Sequence, residues 1–237
     1  MKLLVTRPEP DALRLAGRLE ELGHEAIIEP LLATDFSDAD EVDLSEVQAL
    51  IATSRNGLRA LKFQRAHRIA AELPLFAVGG ATAKEARSLG FKLIVTGAGT
   101  GEQLVPQITS ALDPQGGFLL HLAGDKLAFD LSGELQSHGF RVLQPQVYRM
   151  LPATRLSAVA EAAMTDRSLD GVLLMSPRTA DVFVRLVTAA GLGAHARGLT
   201  YYCLSPAVAR RITPLGGGLR VETAETPSLE DLLSMLV

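Results

Sequence analysis

Short apolar runs recur along the chain, and each gives way to a stretch where apolar residues return every three or four positions. A run of the first kind predicts a buried strand, and a stretch of the second predicts an amphipathic helix. The segment Val78–Phe91, VGGATAKEARSLGF, holds the whole unit in small. The run Leu75–Val78 meets Gly79-Gly80 and Ala81-Thr82; Ala83, Ala86 and Leu89 then repeat at helical spacing until Gly90 stops them. Backbone amides at such a turn are unpaired, and the helix dipole adds positive potential, so the turn suits an anionic oxygen.

The same reading predicts strands at Lys2–Thr6, Ala26–Ile28, Ala49–Thr53, Leu93–Val95, Phe118–Leu122 and Arg141–Leu143. It predicts helices over Pro8–Leu22, with Leu13, Ala16, Leu19 and Leu22 on the apolar face and Gly23 as the stop, from Asn56, from Thr82, up to Leu112, over Leu127–His138 and over Leu229–Leu236. Between Leu31 and Asp43 the pattern dissolves into acidic text around Asp35, Asp38, Asp40 and Glu41, which reads as a crossing segment and loop; the acids from Asp35 to Glu46 read as a solvated face. Alternation of this kind predicts parallel sheets covered by helices on both faces. Two halves of the text also lie on each other. Leu3 onward matches Leu119 onward, the stretch from Ala49 resembles the stretch from Val172 when Ser54 is set on Ser176, Leu75 onward matches Tyr201 onward, and Lys92 onward matches Arg220 onward. Four matches in one order predict two similar α/β domains from an internal duplication.

Composition narrows the class. At 237 residues the chain makes one large domain or two small ones, and 47% hydrophobic with 21% charged residues describes a globular chain. A formal net charge of −4 argues against a dedicated nucleic-acid binder, though not against a basic pocket. The single cysteine, Cys203, sits in an apolar strand pattern as an inert core thiol; with no internal disulfide possible, a cytoplasmic location is expected. No apolar stretch is long enough for a signal peptide or a membrane span.

Candidate chemistry gathers at the strand-to-helix turns, because open parallel sheets bind ligands outside the carboxyl ends of their strands. These turns are Thr6-Arg7-Pro8, Thr53-Ser54-Arg55-Asn56, Gly79-Gly80-Ala81-Thr82, the glycine-rich Thr96–Thr100, Ala123-Gly124-Asp125-Lys126, Ser176-Pro177-Arg178 and Ser205-Pro206-Ala207. Hydroxyls, glycines and single basic residues at helix starts suit carboxylates or phosphates. Any single Ser or Thr there also reads as an ordinary N-cap. Other motifs fail: Gly97–Gly101 is GxGxG and not GxGxxG, no Gly-Lys pair exists for a phosphate loop, the five histidines have no ligand spacing, and Ser54 and Ser176 lack a nucleophile elbow. His121, in a strand pattern, reads as a core or edge residue. No metal site is expected.

The Thr-Arg-Pro start, the Thr-Ser-x-Asn turn, the stretch AVGGATAKEARSLGF, Tyr148 within QPQVYRM and the later LLMSPRTA together resemble the uroporphyrinogen-III synthase family, in order and over nearly the whole chain. The resemblance implies two similar α/β domains joined by a two-stranded connector, with the active site in the cleft between them. Residues 1–33 with 151–237 would form one domain, and 35–149 the other. It further implies cyclisation of linear hydroxymethylbilane to uroporphyrinogen III, with inversion of the last ring and loss of water. That chemistry needs no metal and no redox cofactor, because the pyrrole supplies the electrons. It would depend on positioning. The implied partner is a small linear tetrapyrrole, with no nucleic acid and no membrane, and a monomer meeting the preceding pathway enzyme at most transiently.

By the same resemblance Tyr148 matches the connector tyrosine that would assist loss of the hydroxyl as a donor, or else packs at a domain junction. Arg7, Thr53, Ser54, Arg55, Gly79, Gly80, Thr82, Lys126, Ser176, Arg178 and Ser205 are the expected substrate contacts. Two departures stand out. Ala123-Gly124-Asp125-Lys126 replaces the family's Arg-Gly, and Ser205-Pro206-Ala207-Val208 replaces its Gly-x-x-Thr turn. These keep open a non-catalytic relative that binds a tetrapyrrole or other polyanion in a regulatory role, and a bilobal small-molecule binder of similar build.

Overall fold

The structure is a computed structural model that describes residues 1–37 and 39–236; Asp38, one of the acids read as a loop, lies outside the described residues. Its strands are β1 (Lys2–Val5), β2 (Glu25–Ile28), β3 (Leu32–Asp35), β4 (Val47–Ala52), β5 (Leu75–Ala77), β6 (Ile94–Thr96), β7 (Phe118–His121), β8 (Ala123–Gly124), β9 (Arg141–Leu143), β10 (Gln146–Pro152), β11 (Gly171–Leu174), β12 (Thr200–Cys203) and β13 (Arg220–Thr223). The chain divides into two compact units, Met1–Ala33 with Leu151–Val237, and Thr34–Met150. It passes between them within β3 and again within β10.

The first unit carries a five-stranded sheet of order β13-β12-β11-β1-β2, and the second a five-stranded sheet of order β6-β5-β4-β7-β9. Every pairing in both is parallel. When β1 is set on β7, β11 on β4, β12 on β5 and β13 on β6, the two orders coincide, so the units share a winding. Central strands such as β4 and β11 are buried almost throughout, as doubly covered parallel strands require, while the edge strands β6, β9 and β13 keep exposed residues.

Alternation along β4 sorts the second unit's core into two layers. Leu50 and Ala52 pack with Leu58, Leu61, Ala86 and Leu89 from the helices Arg55–Ala60 and Gly80–Ser88 and the turns after them. Ala49 and Ile51 face the other way, onto Ile108, Leu131 and Leu135 of the helices Val105–Ala111 and Leu131–Ser137. In the first unit Leu3 and Val5 pack with Leu15 and Leu19 of the helix Asp11–Glu21 and with Leu232 and Leu233 of Leu229–Ser234.

Three expectations need correction. The first helix buries Ala12, Leu15, Ala16 and Leu19, whereas Leu13 is 54% and Leu22 39% exposed. The i, i+3, i+4, i+7 spacing from Ala12 defines the stripe, and Leu13 stands about 100° away from it. The segment after Leu31 is not all loop: Leu32–Asp35 is strand β3, in a three-stranded sheet of order β3-β10-β8, so the expected two-stranded connector has a third strand. Asp35 there is half-buried, accepts from the Ser37 amide at 2.9 Å and pairs with Arg149 at 2.7 Å. The Ser37 amide and hydroxyl, helped by the Arg149 guanidinium, hold its pKa at about 2. Finally, the helix expected from Leu127 begins at Leu131, because the Asp130 carboxylate caps it by accepting from Gly133 N at 3.0 Å.

One buried ion pair ties the two helices on a single face of the second sheet: Arg59 Nη2 lies 3.0 Å from Glu85 Oε2, and Arg59 Nη1 donates to Asn56 Oδ1 at 3.1 Å. Removing one partner strands a buried charge. Glu85→Leu is therefore expected to destabilise the protein by about 3 kcal/mol, and Arg59→Met with Glu85→Leu to recover much of that loss. Denaturant melts of the single and double variants decide; an additive double variant refutes the coupling.

Candidate active site

Parallel pairing brings the carboxyl ends of β5, β4 and β7 side by side, and the turns that follow them form one edge of the second unit. A cavity of about 440 Å³ opens there. Thr53 and Ser54 line it from the turn after β4, His121 from the end of β7, Gly99–Gly101 from the turn after β6, and Tyr148 from β10. Residues 125–130, the segment that the Asp130 cap keeps out of the helix, add Lys126, Leu127 and Phe129 to the wall.

Each wall has a local cause. Ser54 is the N-cap of Arg55–Ala60, its hydroxyl accepting from Asn56 N at 3.1 Å, so the helix start is held at the end of β4. Gly57 lets this helix approach the chain after β7: a Cβ there would lie 2.6 Å from the Leu122 carbonyl oxygen. Tyr148 owes its place to another glycine. β10 pairs with β8 so that Tyr148 stands opposite Gly124, and a Cβ on Gly124 would run into the Tyr148 Cζ and lie 2.7 Å from its Oη. The ring thus lies across the strand where no side chain stands. Phe129 is set against Gly101 in a similar way, 3.3 Å from where a Cβ would be.

Behind the wall runs a chain of polar contacts. Thr53 Oγ1 and His121 Nε2 are 3.0 Å apart, His121 Nδ1 and Gln144 Oε1 are 3.0 Å apart, and Ser132 Oγ donates to the same Gln144 oxygen. His121 is 1% exposed. Burial pushes its pKa below the ordinary imidazole value, with the Gln144 hydrogen bond opposing the shift.

The sequence-expected residues divide between the units. In the second, Thr53, Ser54, Lys126 and Tyr148 share the cavity wall. Arg55 opens the helix beside Ser54, and Gly79 lies against the Gly99 backbone, 3.5 Å from where a Cβ would be. Gly80 begins the helix Gly80–Ser88 and Thr82 is buried within it; neither lines the cavity among the described residues. In the first unit Arg7, Ser176 with Arg178, and Ser205 follow the adjacent strands β1, β11 and β12, along one sheet edge. Arg7 is 3.6 Å from the Asp11 carboxylate, Ser176 caps Pro177–Ala189 by accepting from Thr179 N at 3.1 Å, and Ser205 caps its short helix without a side-chain bond. Cys203 is buried, and burial raises its thiol to about 12, as an inert core residue requires. The sequence reading missed Phe129 and Gln144, named Gly124 only as part of a turn, and saw His121 only as a core or edge residue. The signal for His121 was its place at the last position of a strand followed by a turn.

Two parallel α/β units of like winding define a class of two-unit α/β proteins, in which ligand sites lie outside the carboxyl ends of the strands. The family model described as uroporphyrinogen-III synthase HemD matches residues 14–234. The chain belongs to that family, whose members are lyases of haem biosynthesis that act on a tetrapyrrole. The uroporphyrinogen-III synthetase of Helicobacter pylori 26695 superposes with a TM-score of 0.65 at 19% identity, over 99% of this chain and 97% of that one. A mutant uroporphyrinogen III synthase of the extremely thermophilic bacterium Thermus thermophilus gives 0.55, also at 19% identity, over 100% of this chain and 97% of that one. At such identity these two structures establish a common fold. No individually curated protein sequence matches. Among the described residues, no helix is long and apolar enough to cross a membrane.

Two predictions follow from the wall. Gly124→Ala is expected to drive the Tyr148 ring off the cavity, and a variant crystal structure with the ring unmoved would refute the packing. For His121, a lowered folded pKa means that below about 6.5 the unfolded chain binds a proton that the folded chain refuses. Its contribution is fully present above that pH and is lost as pH falls towards the folded pKa. Stability should therefore drop between pH 7 and pH 5, and His121→Gln should flatten that drop. Equal slopes in denaturant melts would refute it.

Proposed function

We propose that this chain cyclises hydroxymethylbilane to uroporphyrinogen III, inverting the last ring and releasing water. The observation that carries the reading is Tyr148 lying over Gly124 at the edge of a cavity walled by Thr53, Ser54 and Lys126, within a chain of this family. Loss of the hydroxymethyl oxygen as water needs a proton donor, and the Tyr148 hydroxyl is the proposed donor. The electrons that expel water come from the pyrrole nitrogen, giving an azafulvene. The substituted carbon of the last ring then bonds to it, forming a spiro centre that rearranges, and the protein's task is to hold that geometry.

The acetate and propionate arms are proposed to meet helix-start amides and single cations. In the second unit these are the Ser54-Arg55 turn, Gly79-Gly80, Thr82 and Lys126, which would stand in for the family's arginine. In the first unit they are Arg7, Ser176, Arg178 and Ser205. Leu127 and Phe129 supply apolar wall for a pyrrole ring. The chain is proposed to act as a monomer in the cytoplasm, on a free small molecule and not on nucleic acid, meeting the preceding pathway enzyme at most transiently. The net charge of −4 and the single cysteine support this. Family membership favours the enzyme over the non-catalytic polyanion binder.

The test supplies hydroxymethylbilane in situ and resolves isomers I and III. Isomer III is expected from the chain, and isomer I alone, at the uncatalysed rate, would return the binder reading. Tyr148→Phe should slow turnover by about 10²-fold with product binding retained; unchanged turnover would leave Tyr148 a packing role.

A further inference from the structure

The cavity wall holds a four-member hydrogen-bond chain whose direction sets what one of its hydroxyls can bind. Gln144 Oε1 receives two groups at once, Ser132 Oγ and, at 3.0 Å, His121 Nδ1. A carboxamide oxygen has two lone pairs and no proton, so both neighbours must donate to it. With the Gln144 carboxamide turned so that its oxygen faces both groups, His121 Nδ1 carries the ring proton. A buried neutral imidazole has one donor and one acceptor nitrogen, which leaves Nε2 bare. Among the described residues, the hydrogen-bond partner of Nε2 is Thr53 Oγ1, 3.0 Å away. The Thr53 hydroxyl must then spend its single proton on His121.

We propose that His121 is a positioning residue that turns Thr53 into a hydrogen-bond acceptor, so that the ligand group meeting Thr53 is a donor such as a pyrrole N–H and not a carboxylate. This reverses the role expected of Thr53 from its type alone. A carboxylate placed against it would find two lone pairs and no proton, whereas a pyrrole N–H finds a preset acceptor. Ser54 beside it and Lys126 across the wall remain for the acidic arms, so neighbouring positions of one cavity separate ring from arm. The identity of the donor rests on the cyclisation reading; the direction of the proton does not.

Nitrogen-15 NMR of the full chain, with His121 assigned by difference from His121→Asn, reads that direction. The expected result is a neutral ring protonated at Nδ1 with Nε2 hydrogen-bonded but bare; protonation at Nε2 overturns the proposal. Gln144 is exposed, so Gln144→Glu leaves the core intact. Its carboxylate should draw a second proton onto His121, which would then donate through Nε2 and make Thr53 a donor. The NMR signature of a doubly protonated ring should appear, and kcat/KM for isomer III should fall about tenfold. Thr53→Val should lose a similar factor while Thr53→Ser retains activity. A Gln144→Glu enzyme with a doubly protonated ring and unchanged kcat/KM overturns the link to the ligand. A wild-type chain that makes no isomer III removes the cyclisation reading, and the tautomer then decides the proposal alone.

Discussion

Parallel strand pairing is the constraint on which the rest depends. With every strand of a five-stranded sheet running the same way, all carboxyl ends fall on one edge, and every strand but β2 and β9 leads from there towards a covering helix. Helix starts expose amides, so each adds positive potential to that edge in a protein whose net charge is negative. The serines at these starts mostly serve the backbone: Ser54 and Ser176 accept from the amides of Asn56 and Thr179. They fix the turns.

Buried polar contacts keep these edges in register. Thr6, fully buried, donates to the Leu173 carbonyl at 2.7 Å and stitches the end of β1 to β11. The buried Glu29 carboxylate accepts from Ser157 N at 2.9 Å and from its hydroxyl, anchoring the helix Ala158–Thr165. Arg59, Glu85 and Asn56 do the same beneath the Thr53–Asn56 turn. Such contacts cost much when half-made and add little net stability when complete. Their use here is to hold the strand-end turns and helix starts in place.

Local pattern revealed what local physics decides. The αβ alternation, the glycine stops at Gly23 and Gly90, both in left-handed backbone, and the strand-end turns were all legible, because each depends on residues near in sequence. The misses depend on distant partners. Leu32–Asp35 becomes a strand only because β10, more than a hundred residues later, lies beside it. Leu127–Asp130 has helical text, but the Asp130 cap defers the helix and leaves Phe129 to pack at Gly101. Gln144 gains meaning only once β9 sits beside β7 and sets it against His121. Tyr148 was legible through family likeness, yet the glycine that makes room for it was not.

The interleaved chain path also orders events at the ribosome. Residues 34–150 are contiguous and carry every strand of their own five-stranded sheet, so this unit can close while later codons are still being read. The opening strand has no such luck: Leu3, Leu4 and Val5 pair with Gly171, Val172 and Leu173, and must stay sheltered until those residues leave the exit tunnel. A βαβ unit of β1, helix and β2, its two strands parallel, waits through most of translation with one strand edge unpaired and apolar surface open to nascent-chain chaperones.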